Sequence, residues 1–340
     1  RPVRFLATYR ADNALLLHEL LGVPPRKAAD QASLDFIRAV VDQRSIKSDE
    51  EIVELDRAVD ISVEMHSAAM RMARPGMLES EIAAEVERIA VAAGGRISFP
   101  VIATIHGETL HNHYHGNVLS DGDLFLLDAG AETAMGYAGD LSSTFPVSPK
   151  FSERQRTIYE LQLAAYDTAV AMLAPGVPNR DVHFAAARVI AQGMKDLGLM
   201  KGDIEEALVA GAHAMFFPCG VGHLMGLDVH DMEDLGETHV GYGGEAKSTQ
   251  FGLKSLRLAR ELEPGFVITI EPGIYFIPQL IDLWRSQNHC ADFLEFDAIN
   301  QWRDFGGVRN EEDYVITADG ARRLGQAKPL SIEEVEALRR

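Results

Sequence analysis

Cysteine is nearly absent, with Cys219 and Cys290 the two examples in a chain of 340 residues. Two thiols cannot build a disulfide framework, so stability has to come from a hydrophobic core, and a reducing, cytoplasmic setting is expected. Basic side chains are also scarce: 32 stand against 51 acidic ones, a formal balance of −19, and no Lys/Arg block interrupts it. Nucleic acid is not expected as a partner, because a polyanion is held by clustered cations. Apolar runs are short and broken by Gly, Pro or charge, far below the roughly 20 residues that span a bilayer, so no membrane partner is expected either. Residue 1 is Arg rather than Met, which leads us to expect a preceding segment whose targeting signals lie outside this sequence.

What is present is ordinary globular material, 46% hydrophobic and 24% charged, long enough to bury a full core. Ser48-Asp49-Glu50-Glu51 is a Ser-x-x-Glu capping box ahead of apolar periodicity at Ile52, Leu55, Val59, Ile61 and Met65, which predicts a helix ending near Pro75-Gly76. A second helix is predicted from Glu79 to about Ala93, before Gly94-Gly95. The pattern then recurs: Ser152-Glu153-Arg154-Gln155 caps a helix running toward Pro175-Gly176, and another helix follows from about Arg180 to Leu197.

The strands that follow repeat as well. After the turn at Asp121-Gly122, a strand from Asp123 to Leu127 leads to Asp128; after Glu263-Pro264-Gly265, a strand from Phe266 to Ile270 leads to Glu271. Each acid stands six residues after its glycine. An internal duplication explains this, each half giving two helices and a β-meander whose acids converge, an α+β arrangement. Residues 1–45 fall outside the repeat and read as the tail of an N-terminal domain, leaving 46–340 as the main domain. Ser331 to Arg340 should form a short surface helix.

Several side chains stand out against this frame. Asp128 ends an apolar strand with no neighbouring base, and an acid so placed calls for a cation. Asp140 follows Gly136-Tyr137-Ala138-Gly139 in a hairpin whose return strand is Leu141 to Val147; an Asp there can simply cap a turn, and its value as a ligand depends on Asp128 lying opposite, which a hairpin of this length allows. Glu271 repeats the context of Asp128. In Val308 to Ile316 the strand period puts Arg309, Glu311 and Asp313 on one face and Asn310 and Glu312 on the other, and spacing alone does not choose between the two glutamates. His223 and His230 lie in a glycine-rich apolar stretch, and His111-Asn112-His113-Tyr114-His115 precedes the Asp128 strand. Two Asp, two Glu and one His form an oxygen-rich donor set suited to Mn²⁺, Co²⁺ or Zn²⁺, and four carboxylates balance two such ions. A two-metal site implies hydrolysis.

Asp128-Ala129-Gly130, Gly139-Asp140, Gly222-His223, Ile270-Glu271-Pro272-Gly273 and Arg309-Asn310-Glu311 resemble, in order, the five ligand motifs of the pita-bread metallopeptidases, a family that includes methionine aminopeptidase, aminopeptidase P and prolidase. The resemblance covers about residues 45–325 and identifies Glu311 as the last ligand. It implies a pita-bread fold with two divalent ions per chain, Mn²⁺ first, held by Asp128, Asp140, His223, Glu271 and Glu311. Asp128 and His223 would be terminal ligands, Asp140 and Glu311 would bridge, and Glu271 would also be general base toward a metal-bridging hydroxide. His230 and His111 would hold the scissile carbonyl.

The run Gly252 to Arg260, with Glu271 to Ile277, looks most like prolidase, the Xaa-Pro dipeptidase, with aminopeptidase P as the nearer rival on longer peptides. In that likeness Arg257 binds the free carboxylate of the prolyl product, and Arg309 ties the substrate pocket to the metal-bearing strand. A homodimer is implied by the same resemblance. A non-catalytic pita-bread binding module is the alternative of another class, and the retained ligand set argues against it. Three departures are visible: Cys219 stands where relatives commonly carry His, Asn310 replaces an aliphatic residue beside the ligand glutamate, and the Asp128 to Asp140 interval is one residue longer than in aminopeptidase P, a change a hairpin loop absorbs. A thiol-hydrolase role for Cys219 is not expected, because nearby acids disfavour the thiolate.

Overall fold

The computed structural model describes residues 3–339. Helix Asp49–Met72 begins with the expected capping box: Ser48 Oγ accepts from the Glu51 amide and the Glu51 carboxylate accepts from the Ser48 amide. Its buried positions, among them Leu55, Val59, Ser62, Met65, His66 and Ala69, recur every three or four residues and form one stripe. Helix Glu79–Ala92 packs beside it. In the second half, helix Glu153–Ala171 carries its own capping box from Ser152 and Gln155, and helix Asn179–Asp196 pairs with it. The duplicated helix pair read from the sequence is therefore present, with ends shifted by a few residues.

Each helix pair backs a small antiparallel sheet. In the first, Leu124–Ala129 lies between Ile102–Thr104 and Leu141–Pro146, with Asp128 opposite both Ile102 and Ser142. In the second, Glu312–Ile316 lies between Val267–Ile270 and Ala321–Arg323. A two-stranded ribbon of Gly273–Tyr275 and Gly307–Arg309 continues the second half, and a bridge between Ser142 and Glu311 joins the two halves. Asp128 thus sits inside its strand rather than after it, and the single strand expected from Val308 to Ile316 breaks at Asn310-Glu311, where the chain crosses to the other sheet. The period-two assignment survives the break. Arg309, Glu311 and Asp313 all bond toward the first half, whereas Asn310 and Glu312 reach Gln162 and Tyr166 on helix Glu153–Ala171.

A continuous apolar core fills the space between helices and sheets, with Phe125 and Phe145 in ring contact at 5.4 Å across the first sheet. One expectation needs correction at the C-terminal end. Helix Ile332–Leu338 is not simply a surface feature: Ile332 and Val335 are buried, and the Arg339 guanidinium beyond it donates to the carbonyls of Met70, Ala73 and Val147, satisfying the end of the Asp49–Met72 helix. Apolar residues before 46 divide between two clusters. Ala14, Val23 and Ala28 form a small core of their own, but Ile37 and Val41 of helix Leu34–Ser45 join the main one. Among the described residues no helix is long and apolar enough to cross a membrane.

Candidate metal centre and substrate cleft

The seam between the two half-sheets gathers the candidate ligands. Asp140, His223 and Glu311 each offer a donor atom, all within 4.8 Å of one another, and all three residues are buried. Glu271 Oε1 lies 3.7 Å from His223 Nε2, and Asp140 Oδ2 lies 3.4 Å from the same nitrogen. Asp128, the fifth expected ligand, stands in the same wall of the cleft with one carboxylate oxygen held by Arg309.

Local backbone explains why these residues come to one place. Gly130 and Gly139 let the ends of the Asp128 and Asp140 strands close on each other: a Cβ on Gly130 would meet the Gly139 carbonyl at 1.8 Å. Gly222 does the same for His223, lying against Thr269, whose hydroxyl accepts from the His223 amide. The Asp140 amide donates to Asp313 Oδ2 at 3.0 Å, and Ser142 Oγ donates to Glu311 Oε2 at 2.7 Å.

Charge and tautomer test whether the pocket suits a cation. His223 Nδ1 is 3.0 Å from the Leu224 carbonyl, which can only accept, so Nδ1 carries the proton. In the neutral ring the Nε2 lone pair then faces carboxylates, an arrangement that repels itself unless something positive lies between. Burial, and then mutual repulsion among the acids, raises Asp140 and Glu311 well above the ordinary carboxylate range and lifts Glu271 to about 8. Arg309 is the cation buried against this group, and it offsets one charge. The donor set therefore fits divalent ions.

The cleft in front encloses about 400 Å³ and is lined by Phe99, Pro100 and Leu110 on its apolar side and by His111, His230 and Arg257 among its polar groups. His230 stacks on His223 with ring centres 3.8 Å apart, and its Nδ1 donates to Glu233 Oε1 at 2.9 Å. That bond leaves Nε2 free for a ligand, as an acceptor in the neutral ring and as a donor to a carbonyl once the ring is charged. His111 is exposed at the cleft, whereas His115 is spent on the Val101 carbonyl. Arg257 reaches the cleft with NH1 bonded to Glu237.

Arg309 lines the cleft, and its Nε, NH1 and NH2 donate to Ser142 Oγ, Tyr275 Oη and Asp128 Oδ2. Burial and then Glu271 push the Cys219 thiol up to about 12, which agrees with setting a thiol mechanism aside. Asn310 points away from the acids, as expected, to Gln162 at 2.6 Å. Sequence reasoning missed Ser142, Tyr275 and Glu237, which matter through partners distant in sequence, and Glu233, whose partner His230 lies three residues before it in a segment with no regular pattern. It also missed Lys328, whose buried ammonium donates to the Ser142 carbonyl and to Ser143 Oγ.

Comparisons with known proteins agree with this geometry. Mus musculus Xaa-Pro dipeptidase is 35% identical over 306 residues, covering 88% of this chain and 60% of its own length. Escherichia coli (strain K12) Xaa-Pro aminopeptidase is 36% identical over 315 residues, covering 91% of this chain and 63% of its own. The chain thus spans about 60% of the length of these curated relatives. Among solved structures, a variant of Escherichia coli aminopeptidase P in complex with substrate superposes with a TM-score of 0.79 at 32% identity, covering 99% of this chain and 70% of that one. The expected pita-bread, α+β fold class is the one observed. The profile of metallopeptidase family M24 matches residues 54–318, and with the ligand seam and the two half-sheets in place, the chain belongs to that family.

Proposed function

We propose that this chain carries the hydrolytic unit of a two-metal Xaa-Pro peptidase, cleaving the bond before proline in dipeptides first and in longer peptides second. The observation that supports it is the convergence of Asp140, His223 and Glu311, buried and with donor atoms within 4.8 Å of one another. Two divalent ions held by Asp128, Asp140, His223, Glu271 and Glu311, Mn²⁺ by preference and Co²⁺ or Zn²⁺ as substitutes, would polarise the scissile carbonyl and activate water.

The remaining work falls to side chains. Glu271, at the cleft wall beside His223, takes the proton of the attacking water as general base. His230 and His111 line the cleft where they reach the scissile carbonyl, His230 acting as donor when charged. Phe99, Pro100 and Leu110 offer apolar surface to the prolyl ring, and Arg257 offers a guanidinium to the terminal carboxylate. Arg309 holds one oxygen of Asp128 at the cleft wall. The reading extends to a reducing, cytoplasmic setting, which the unpaired Cys219 and Cys290 suit. It also extends to a homodimer, for which the exposed Leu15, Leu16 and Leu20 of helix Ala11–Leu21 offer a face.

The test is metal content by mass spectrometry together with Ala-Pro hydrolysis before and after chelation. About two divalent ions per chain are expected, with turnover lost to chelator and recovered with Mn²⁺. Full-rate cleavage by metal-free protein refutes the mechanism.

A further inference from the structure

The peptidase reading leaves open how Arg257 is aimed, and two acids outside the cleft answer this. Its NH1 donates to Glu237 Oε1 and lies 3.7 Å from Glu233 Oε2, while among the described residues Nε and NH2 meet no protein acceptor. Glu237 in turn gives its second oxygen to Lys247 Nζ, and Glu233 gives its other oxygen to His230. Arg257 and His230 line the cleft, whereas Glu233, Glu237 and Lys247 stand behind them.

The backbone ties this support to its target. Glu237 opens the turn Glu237–Val240, and its carbonyl accepts from the Gly241 amide at 2.8 Å. The Gly241 carbonyl then accepts from the amides of Ala259 and Arg260, at 2.8 and 3.0 Å. At Gly241 a Cβ would fall 1.8 Å from the Arg257 carbonyl, so only glycine permits the approach. Side chain and main chain therefore connect Glu237 to the Arg257 segment independently.

Resting on the Xaa-Pro reading, we propose that Glu237, braced by Lys247, is a positioning residue that turns the Nε/NH2 edge of Arg257 into the cleft and so selects substrates whose free carboxylate directly follows proline. A guanidinium anchored at one nitrogen presents its other edge as a ready two-point donor for a carboxylate. Lys247 shares the Glu237 charge, so the acid orients the guanidinium without cancelling it. Substrates extended beyond proline place no carboxylate at that edge and gain nothing from it.

The test compares KM and kcat for Ala-Pro and Ala-Pro-Ala in the Mn²⁺-loaded full chain, with Glu237→Ala and Glu237→Gln. Glu237→Ala should raise KM for Ala-Pro about tenfold with kcat within about twofold, and leave KM for Ala-Pro-Ala unchanged. Glu237→Gln keeps an acceptor for NH1 and fits the same space, so it should show the same selectivity shift at about threefold, and it carries the test if the alanine variant fails to fold. An unchanged or lowered KM for Ala-Pro, or an equal rise for both peptides, overturns the assignment. Wild-type protein that cleaves neither peptide overturns the peptidase reading instead.

Discussion

Arg309 and Asp128, 181 positions apart, meet in a buried ion pair at 2.5 Å, and the pair spans the two halves of the duplication. One half supplies the acid from its central strand and the other the cation that orients it. The remaining guanidinium nitrogens are fixed by Ser142 and Tyr275, at 2.9 and 2.7 Å. Asp128 is therefore presented to the cleft with one oxygen committed, a posture that its own strand could not impose.

Removing this cation leaves a buried carboxylate without compensation. Arg309→Met should destabilise the protein by about 3–5 kcal/mol, read as a shift of the urea midpoint. Arg309→Lys should recover only part of the loss, because one ammonium cannot replace three directed donors. Equal stability of the wild type and Arg309→Met would show that the pair does not hold Asp128.

Glu311 should show the opposite balance between stability and function. In metal-free protein its charge is buried among other acids, so Glu311→Gln, which keeps an acceptor for Ser142 Oγ, removes repulsion at little cost in packing. The metal-free variant should melt about 2 °C higher than metal-free wild type. It should also lose bound Mn²⁺ in equilibrium dialysis. A lower melting temperature with metal retained contradicts the ligand assignment.

The repeat was legible because capping boxes and strand-ending acids are local signals. Ser48, Ser152, Asp128 and Glu271 each announce themselves within a few residues, and their recurrence places both halves. The seam was not legible: that Ser142 pairs with Glu311 depends on where two sheets meet. For the same reason Lys328, in an unremarkable Ala327-Lys328-Pro329 stretch, gave no hint that its ammonium holds the Ser142 carbonyl. Arg309 could be placed on the correct face by period two, but not which partners would occupy it. Glu237 lacked any pattern, since its meaning comes from Arg257 twenty residues later.

Three buried histidines predict a loss of stability in mild acid. Burial pushes His66 and His183 down to about 3 and His213 to about 4. Above pH 6.5 they are neutral in both folded and unfolded chains and contribute no pH dependence. As pH falls from 6.5 toward about 4, the unfolded chain binds protons that the folded one refuses, so stability drops by up to about 1.4 kcal/mol per pH unit for each histidine. The acid cluster of metal-free protein works in the opposite sense, which makes a difference measurement the right one. His183→Phe, in a site already stacked on Phe217 at 5.0 Å, should flatten the dependence of the urea midpoint between pH 6.5 and 4.5 relative to wild type. Parallel curves for the two proteins would remove His183 from the account.

Cys219 provides the last test, because it lines the cleft beside Glu271 and invites the wrong mechanism. A thiol pushed up to about 12 is ionised in only about one molecule in 10⁵ at neutral pH, and the adjacent carboxylate opposes any further thiolate. Ser has nearly the same shape and is a much poorer nucleophile in this setting, so Cys219→Ser separates packing from chemistry. Turnover of Ala-Pro by the Mn²⁺-loaded variant should stay within about twofold of wild type, and iodoacetamide should spare the native enzyme at pH 7.5. Collapse of kcat in Cys219→Ser with metal content unchanged, together with inactivation of the native enzyme by iodoacetamide, would move the reaction from the acid cluster to the thiol, since a residue that only shapes the cleft would not need a reactive thiolate.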